Sequence, residues 1–378
     1  MIYMDFQKTF DNVPHRRLIL KAKAHGIKDN VLAWIQDFLS GRTQRVAVSG
    51  ALSEEADVTS GIPQGSVLGP LFFVLYINDL PGEVENEVRL FADDTKLFAC
   101  SDTPDGIESL QKELNSLQEW SDKWLLRFHP EKCHVLKLGS SKSSATYSMT
   151  ITAPDGTSQT QKLEETQVEK DLGVHVDNDL SFRTHITQAA SKANRVLGVM
   201  RRSFDFLSND TFLLLYKALV RPLLEYGHSV WNPHYKYLKK TIEDVQRRAT
   251  RMLSSMKDMS YPERLRALDL PSLEHRRIRG DMIDTFKYVH GLYKSSRPEL
   301  PARTCSIDLR GHSLMRAKRR CEGKTRAAYF SERVVDTWNL LPEKVVTAPT
   351  VDAFKNRLDK HWINNELKFN PTCYEKLS

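Results

Sequence analysis

Val88–Ala99 reads V-R-L-F-A-D-D-T-K-L-F-A, and this stretch decides the fold. Two short apolar runs rich in strand-forming residues flank the adjacent carboxylates Asp93 and Asp94, which predicts a β-hairpin with both acids at its tip. A tight turn cannot hide two carboxylates from solvent, and unpaired they repel each other. Mg²⁺ takes oxygen ligands and often shares them with phosphate, so the hairpin predicts metal-dependent chemistry on phosphates.

The composition indicates a folded intracellular protein. With 378 residues the chain is long enough for two or three domains, and no apolar run approaches the ~20 residues of a membrane span. The first residues lack the basic and apolar regions of a signal peptide. Five scattered cysteines without a C-x-x-C pair indicate a reducing compartment, nuclear or cytoplasmic, and no secretion.

Charge is divided along the chain. Residues 1–100 hold 10 basic and 13 acidic residues, whereas residues 236–280 hold 12 basic and 6 acidic, and residues 310–326 hold 7 basic and 1 acidic. The division suits a protein in which one part holds a metal ion and another holds a polyanion. The alternative is that the basic helices are solvated surfaces.

A third carboxylate is required to complete a metal site, and Asp5 is the first candidate because it ends an apolar strand. Nucleotidyl transfer uses two metal ions about 3.5–4 Å apart, one activating a 3′-hydroxyl and one holding the triphosphate. Asp5 could instead be a helix N-cap or a surface residue. Asp11 competes with it, and precedes Pro14 as a capping residue does.

Three motifs give the sequence a specific resemblance. They are D-F-Q-K-T-F-D-N-V-P-H from Asp5, S-G-I-P-Q-G-S-V-L-G-P from Ser60, and L-F-A-D-D-T-K-L-F from Leu90. In this order and spacing the chain resembles the reverse transcriptase of non-LTR retrotransposons, in particular the jockey-like clade. The resemblance continues through K-D-L-G-V-H-V-D to F-S-E-R-V-V-D-T-W-N-L-L-P and so covers most of the chain.

The resemblance implies an RNA-directed DNA polymerase with two Mg²⁺ ions as cofactors and with RNA template, DNA primer and deoxynucleoside triphosphates as partners. By position, Asp5 and Asp93 resemble the metal ligands, Asp94 the auxiliary carboxylate, and Lys132 the lysine that protonates the pyrophosphate. The bulky side chain that excludes a 2′-hydroxyl corresponds to Phe10.

Two more residues, Gln64 and Gly65, resemble the loop that touches the incoming nucleotide. Without the family resemblance, each of these residues has an ordinary structural interpretation. Phe10 would be a core residue, Gln64 and Gly65 would belong to a loop that enters a helix, and Lys132 would be a solvated lysine.

The implied fold class is α+β: a right-hand polymerase palm made of a small antiparallel sheet plus helices, then a helical thumb and an α-rich C-terminal region. We predict a palm over 1–184, with a primer-grip-like hairpin at 172–182 that turns at Asp177-Asn178, a thumb-like region over 185–291 and a basic, helical region over 292–378. The polar, Ser/Thr-rich stretch 140–160 is expected to be a flexible surface excursion.

Basic residues on one predicted thumb helix are candidates for sequence-independent phosphate contacts. They are Lys239, Lys240, Arg247, Arg248 and Arg251. The aromatic residues Tyr226, Trp231 and Tyr235 lie nearby in the sequence, and packing is favoured over base stacking for them.

The first strand begins at residue 2, before which the family places its fingers, so we expect a fragment with the fingers largely missing and without activity alone. The main alternative is a non-catalytic nucleic-acid-binding remnant of such an element. A group II intron-type maturase is disfavoured, because the residues of the motifs resemble those of the jockey-like clade.

Overall fold

A mixed five-stranded sheet organises the first part of the chain, and helices dominate the rest. The computed structural model describes residues 1–139, 145–152, 158–294, 299–302 and 311–371. The chain divides into two compact units, Met1–Glu169 and Lys170–Ser378. None of the described helices combines the length and the apolar character needed to cross a bilayer.

The strands, in chain order, are β1 (Ile2–Met4), β2 (Thr43–Gln44), β3 (Ala47–Val48), β4 (Ala51–Leu52), β5 (Ala56–Asp57), β6 (Glu87–Phe91), β7 (Asp94–Phe98), β8 (His134–Leu136), β9 (Ser148–Thr152), β10 (Ser158–Lys162), β11 (Glu164–Thr166), β12 (Val168–Asp171) and β13 (Val174–Asp177). The central sheet has the order β11-β8-β1-β7-β6, and the other strands form two-stranded pairs.

The helices of the first unit are α1 (His15–Ala24), α2 (Asp29–Leu39), α3 (Leu68–Ile77) and α4 (Pro104–Trp124). Those of the second unit are α5 (Arg183–Ser203), α6 (Asn209–Leu215), α7 (Arg221–Glu225), α8 (His228–Trp231), α9 (Lys236–Thr250), α10 (Tyr261–Ala267), α11 (Leu273–Val289), α12 (Lys324–Ala327), α13 (Phe330–Asn339), α14 (Glu343–Val346) and α15 (Val351–His361).

The first unit is held by an apolar layer between the central sheet and its helices. β1 alternates, with Ile2 and Met4 buried, as a strand with one covered face requires. The long helix α4 begins where the Thr103 hydroxyl accepts a hydrogen bond from the backbone N–H of Gly106, and it buries Leu110, Leu114 and Trp120. The sequence therefore fixes which face of each element meets the core.

Two features of the first unit differ from the prediction. The sheet is not wholly antiparallel, because β11 pairs in parallel with β8, with Glu164 opposite His134. The described part of the predicted surface excursion is also ordered, since β9 and β10 form an antiparallel pair. The β9–β10 pair leads the chain away from the sheet and back to it, so that β11 runs in the same direction as β8. Residues 140–144 and 153–157 of the excursion lie outside the described residues.

The predicted hairpin at 172–182 is wrong in its bounds. Its strands are β12 and β13, and Leu172-Gly173 forms the turn, both with positive φ. Asp177 ends β13, and its carbonyl accepts a hydrogen bond of 2.9 Å from the Leu180 backbone N–H, so a turn does follow. This turn leads into α5 and not into a second strand, and the Asp177 carboxylate accepts hydrogen bonds from the Ser181 hydroxyl and the Thr184 backbone N–H at the start of α5.

The second unit has two apolar clusters. One lies among α5–α10 and includes Trp231, and the other joins α11 to α13–α15 through Phe286, Trp338 and Phe354. The helices α13–α15 therefore share a core with α11. The division into palm, thumb and C-terminal regions concerns function and stays a prediction.

Candidate active site and nucleic-acid interface

The carboxylates singled out from the sequence lie at one end of the central sheet. The predicted hairpin is confirmed: β6 and β7 pair with Phe91 opposite Asp94, so Asp93 lies in the two-residue turn. On the other side of β7, Met4 pairs with Thr95, and Asp5 and Asp94 follow one position beyond that pair. Residues at opposite positions of an antiparallel pair share a face, so this register places Asp5 beside Asp94.

Asp5 contacts the segment 129–132 through both its backbone and its side chain. Its backbone carbonyl accepts a hydrogen bond of 2.7 Å from the backbone N–H of His129. A short turn of 3₁₀ helix follows, and Lys132 at its end places Nζ 3.6 Å from Asp5 Oδ2. The Asp5 side chain keeps 38% of its surface exposed and Lys132 keeps 61%, so both remain accessible to a substrate.

Asp93 is oriented by a residue that the sequence did not single out. The Thr9 hydroxyl donates to Asp93 Oδ2 across 3.5 Å, and Thr9 is buried. Thr9 lies in the motif between Asp5 and Phe10, but a lone threonine in a loop gives no signal of such a role. The structure thus connects the segment after β1 to the turn that carries Asp93.

Phe10 lies beside the loop at 60–65. Its half-buried ring is 5.3 Å from the ring of Phe73 on α3, and its carbonyl accepts a hydrogen bond from the Ile62 backbone N–H. Gly61 is required here, because a Cβ at that position would lie 2.7 Å from the Asp11 carbonyl oxygen and its φ is +90°. Phe10 is therefore a core-anchored residue with one accessible side.

Gln64 is exposed, and its Nε2 donates to Asp11 Oδ1 across 3.1 Å. Gly65 follows with a φ of +80° and no neighbour close to the position of a Cβ, which leaves its backbone open to a ligand. Asp11 does not cap α1, whose N-cap residue is Pro14 without a side-chain cap. The competing interpretation of Asp11 as a capping residue is therefore wrong, and Asp11 instead holds the loop at 60–65 through Ser60 and Gln64.

The donor set fits Mg²⁺ in type, because Asp5, Asp93 and Asp94 supply hard carboxylate oxygens. Within the described ranges, however, no three His, Cys, Asp or Glu side chains are grouped closely enough to hold a metal ion together. Mg²⁺ is usually bound through one or two carboxylates plus substrate phosphates, so two protein ligands and a bound triphosphate would suffice.

The family model for reverse transcriptase (RNA-dependent DNA polymerase) matches residues 1–199, a span that contains every residue of this site. The chain belongs to the reverse transcriptase family. It is 30% identical over 266 residues to the RNA-directed DNA polymerase from mobile element jockey of Drosophila melanogaster, and 30% identical over 269 residues to the protein of the same name from Drosophila funebris.

A third relative is the probable RNA-directed DNA polymerase from transposon X-element of Drosophila melanogaster, 29% identical over 271 residues. Each alignment covers 67% of this reverse transcriptase-family chain but 28% of the relative, so the chain spans less than a third of the relatives' length. The mixed α/β architecture is consistent with a reverse transcriptase domain.

The five basic residues predicted on α9 of this reverse transcriptase chain fall into two groups. Lys239 lies 2.7 Å from Glu274, Lys240 lies 3.2 Å from Asp244, and Arg247 extends over the ring of Tyr261. By contrast, Arg248 and Arg251 have no ion pair with any residue that the structure describes, and both line a groove between α5 and α9.

This arginine groove, defined by Arg195, Arg201, Arg202, Arg248 and Arg251, consists of two adjoining cavities of about 750 and 740 Å³. Asp205 is the one acidic residue among its described lining residues. Arg195 and Arg202 are seven positions apart, two turns of α5, and therefore lie on one face. That spacing was readable from the sequence, but that this face borders α9 was not.

Proposed function

We propose that this chain is the RNA-directed DNA polymerase domain of a non-LTR retrotransposon, acting by two-metal nucleotidyl transfer. The observation that carries the proposal is the register that places Asp5 beside Asp94 and next to the turn of Asp93. Two Mg²⁺ ions, when bound, would activate the primer 3′-hydroxyl and neutralise the triphosphate.

In this mechanism the residues have separate tasks. Asp5 and Asp93 would hold the metal ions, and Asp94 adds negative charge beside them. The primer 3′-hydroxyl loses its proton to solvent and its oxygen attacks the α-phosphorus of the deoxynucleotide. The bond from the α-phosphorus to the oxygen that bridges to the β-phosphate breaks, and Lys132 delivers a proton to the pyrophosphate that leaves.

Recognition of the nucleotide falls to Phe10 and the loop that contains Gln64 and Gly65. The open side of the Phe10 ring fills the volume that a ribose 2′-hydroxyl would need. Phe10→Val is therefore expected to raise the incorporation of ribonucleotides relative to deoxynucleotides, measured by primer extension with each nucleotide alone.

The proposed palm lies in the first unit, with the β12–β13 hairpin as primer grip and the helices that follow as thumb. The arginine groove then holds the phosphates of template and primer. Arginine side chains bind phosphate with paired hydrogen bonds and retain their charge at every physiological pH.

The direct test is extension of a DNA primer on an RNA template with deoxynucleotides and Mg²⁺. We expect Asp93→Asn to lower the rate by at least about a hundredfold, since it removes a charged metal ligand. Asp102→Asn, an exposed aspartate after β7, is the matched control and should extend normally. Extension by the Asp93→Asn variant at the wild-type rate would refute the proposal.

A second candidate is binding of nucleic acid without catalysis. It is favoured by one contrast: the described residues form a continuous arginine groove but no three-residue metal cluster. In that case RNA–DNA hybrid binding survives Asp93→Ala, no extension occurs, and Arg195→Ala or Arg248→Ala each lowers the salt dependence of binding by about one phosphate contact. Arg266→Ala, exposed on α10, serves as control.

A further inference from the structure

Two adjoining cavities in the second unit lie outside everything assigned above. The first, of about 600 Å³, is the aromatic cavity, lined by Phe182, Tyr288, Tyr293, Tyr329 and Phe330 and by one carboxylate, Asp284. The second, of about 590 Å³, is the cationic cavity, lined by Lys236, Lys239, Lys324 and Arg333 and by two carboxylates, Glu274 and Asp281. Asn232, His234 and Ala328 line both, so the two cavities are continuous.

The aromatic cavity is built from rings that pack on one another. The Tyr288 ring lies 4.6 Å from that of Tyr293 and 5.9 Å from that of Phe330. At the rim, the Arg326 guanidinium lies over the Tyr329 ring at 5.1 Å. A cluster of rings with one side open and a cation beside it suits a flat, polarisable ligand such as a nucleobase.

Three of the four cations that line the cationic cavity, Lys236, Lys239 and Arg333, already interact with other groups. Lys239 is bonded to Glu274, and Arg333 makes two hydrogen bonds to Asp281. Lys324, at the start of α12, is exposed and has no ion pair with a described residue. An unneutralised lysine at the mouth of a cavity suits a phosphate.

Asn232 and His234, which line both cavities, have hydrogen-bonding atoms that a ligand could contact. The Asn232 amide donates to Asp281 Oδ2 across 3.2 Å, which leaves its carbonyl oxygen for another partner. His234 Nε2 is buried and has no hydrogen-bond partner among the described residues. Polar groups of this kind are usually satisfied, so an unsatisfied one beside a cavity marks a place where a ligand can contribute.

We propose that the joined cavities bind one nucleotide of a single-stranded nucleic acid, with the base against Tyr288, Tyr329 and Phe330 and its phosphate at Lys324. The inference rests on the proposed function, since a polymerase of this type works on a single-stranded template. The base must be unpaired, because a paired base in a duplex has both faces stacked and cannot enter. The basic segment 316–326 would supply further positive charge to the neighbouring phosphates of the bound nucleic acid.

The test is equilibrium binding, by fluorescence anisotropy, of a labelled five-residue oligothymidylate to the whole chain without Mg²⁺ or nucleotides. A five-residue abasic oligomer of equal charge is the comparison. Base stacking on aromatic side chains predicts that the abasic oligomer binds about tenfold more weakly. Tyr329→Ala should remove most of this difference, and Lys324→Ala should weaken both oligomers alike.

The controls are Phe206→Ala, an exposed aromatic outside the cavities, and Lys360→Ala, an exposed lysine on α15; both should bind as the wild type does. Tyr329 is more than a third exposed, so its substitution leaves the fold intact, which thermal unfolding verifies. Equal affinity for the two oligomers overturns the proposal. Wild-type affinity in both cavity variants also overturns it, and so does equally tight binding of thymidine monophosphate.

The polymerase proposal and the nucleotide-cavity proposal can be rejected independently of each other. Asp93→Asn should bind the oligomer normally, because the cavity test involves no metal and no catalysis. Loss of primer extension with intact oligomer binding rejects only the polymerase proposal. Normal extension with no preference for the base-containing oligomer rejects only the nucleotide cavity.

Discussion

Lys132 Nζ lies 3.6 Å from Asp5 Oδ2, so a lysine stands beside a carboxylate proposed as a metal ligand. Because both side chains are substantially exposed, the pair adds little to stability. Its main effect is that the positive charge of Lys132 opposes the binding of a cation at Asp5. We expect Lys132→Ala to strengthen Mn²⁺ binding a few-fold at low salt, while slowing primer extension by about 10²–10⁴-fold if Lys132 protonates the pyrophosphate.

The two readouts separate the roles of this lysine. Mn²⁺ affinity is measured by electron paramagnetic resonance, and extension by product formation under saturating metal. Lys112→Ala, exposed on α4, removes the same charge elsewhere and should change neither. If Lys132→Ala binds Mn²⁺ more tightly and extends at the normal rate, the lysine is only a neighbouring charge.

Ala92 begins the turn that carries Asp93, and its φ is +52°, a left-handed conformation in which an L-residue with a Cβ is strained by about 1 kcal/mol. Ala92→Gly is expected to raise the free energy of unfolding of the first unit by roughly 0.5–1 kcal/mol. Urea denaturation measures the change. Ala99→Gly, just beyond β7, should instead lower stability, and lower stability for Ala92→Gly would show that the turn is not strained.

Local patterns of the sequence were enough for the elements that carry the carboxylates. The two short apolar runs that flank Asp93 and Asp94, and the helical spacing of Leu110, Leu114 and Leu117, are short-range signals of a hairpin and of an amphipathic helix. Asp5 could be assigned because an apolar strand leads directly into it.

Long-range contacts were not predictable in the same way. The bond between Thr9 and Asp93 joins residues 84 positions apart, and the parallel pairing of β11 with β8 depends on the β9–β10 pair between them. Asp177 shows the remaining difficulty, since Asp-Asn indicates a turn but not which element follows the turn. Here the contacts of Asp177 with Ser181 and Thr184 accompany the entry of the chain into α5 and not into a second strand.

Lys21 is a buried cation of the first unit. Its Nζ lies 3.8 Å from the centre of the Trp124 ring and 4.7 Å from that of Trp120, and it is bonded to Asp79. Burial lowers the pKa of Lys21 below its ordinary value of 10.5, despite the opposing effect of Asp79. The unfolded chain therefore binds a proton more readily, and this residue's contribution to stability increases as pH rises toward 10.5.

We expect the free energy of unfolding of the wild type, measured relative to Lys21→Met, to increase between pH 8 and pH 10. The slope from one group is at most about 1.4 kcal/mol per pH unit. Urea denaturation at the two pH values gives the comparison, which cancels the titration of other groups. Lys112→Met should show no such difference, and a flat difference for Lys21→Met would mean that Lys21 has an ordinary pKa.

Two buried histidines make the second unit sensitive to acid. Burial lowers the pKa of His185 and of His275 to about 4 each, with Lys368 adding to the effect at His275. An unfolded histidine binds its proton near pH 6.5, so stability is complete above that value and decreases as pH falls from 6.5 to 4.

His185→Gln is expected to reduce the loss of stability between pH 7 and pH 4.5, measured as the shift in urea midpoint with pH. His361→Gln, exposed at the end of α15, should retain the wild-type dependence. An unchanged slope in His185→Gln would show that this histidine titrates normally in the folded protein.

Arg333 and Asp281 form the tightest charged contact between α13 and α11. The guanidinium Nε and Nη2 each donate to a carboxylate oxygen at 2.9 Å, and Asp281 is buried. Removing the arginine leaves a buried carboxylate whose one remaining hydrogen-bond donor among the described residues is the Asn232 amide, with His228 3.8 Å away. Arg333→Ala is therefore expected to cost about 3–5 kcal/mol of the second unit's free energy of unfolding.

A double-mutant cycle isolates the pair. Because Asp281→Ala also removes the buried charge, the double variant Arg333→Ala with Asp281→Ala should cost less than the sum of the single variants. Arg319→Ala, which breaks the exposed pair with Glu299, should cost less than about 1 kcal/mol. Additive single costs would mean that Arg333 acts through its bonds to the Ser229 and Ala328 carbonyls rather than through Asp281.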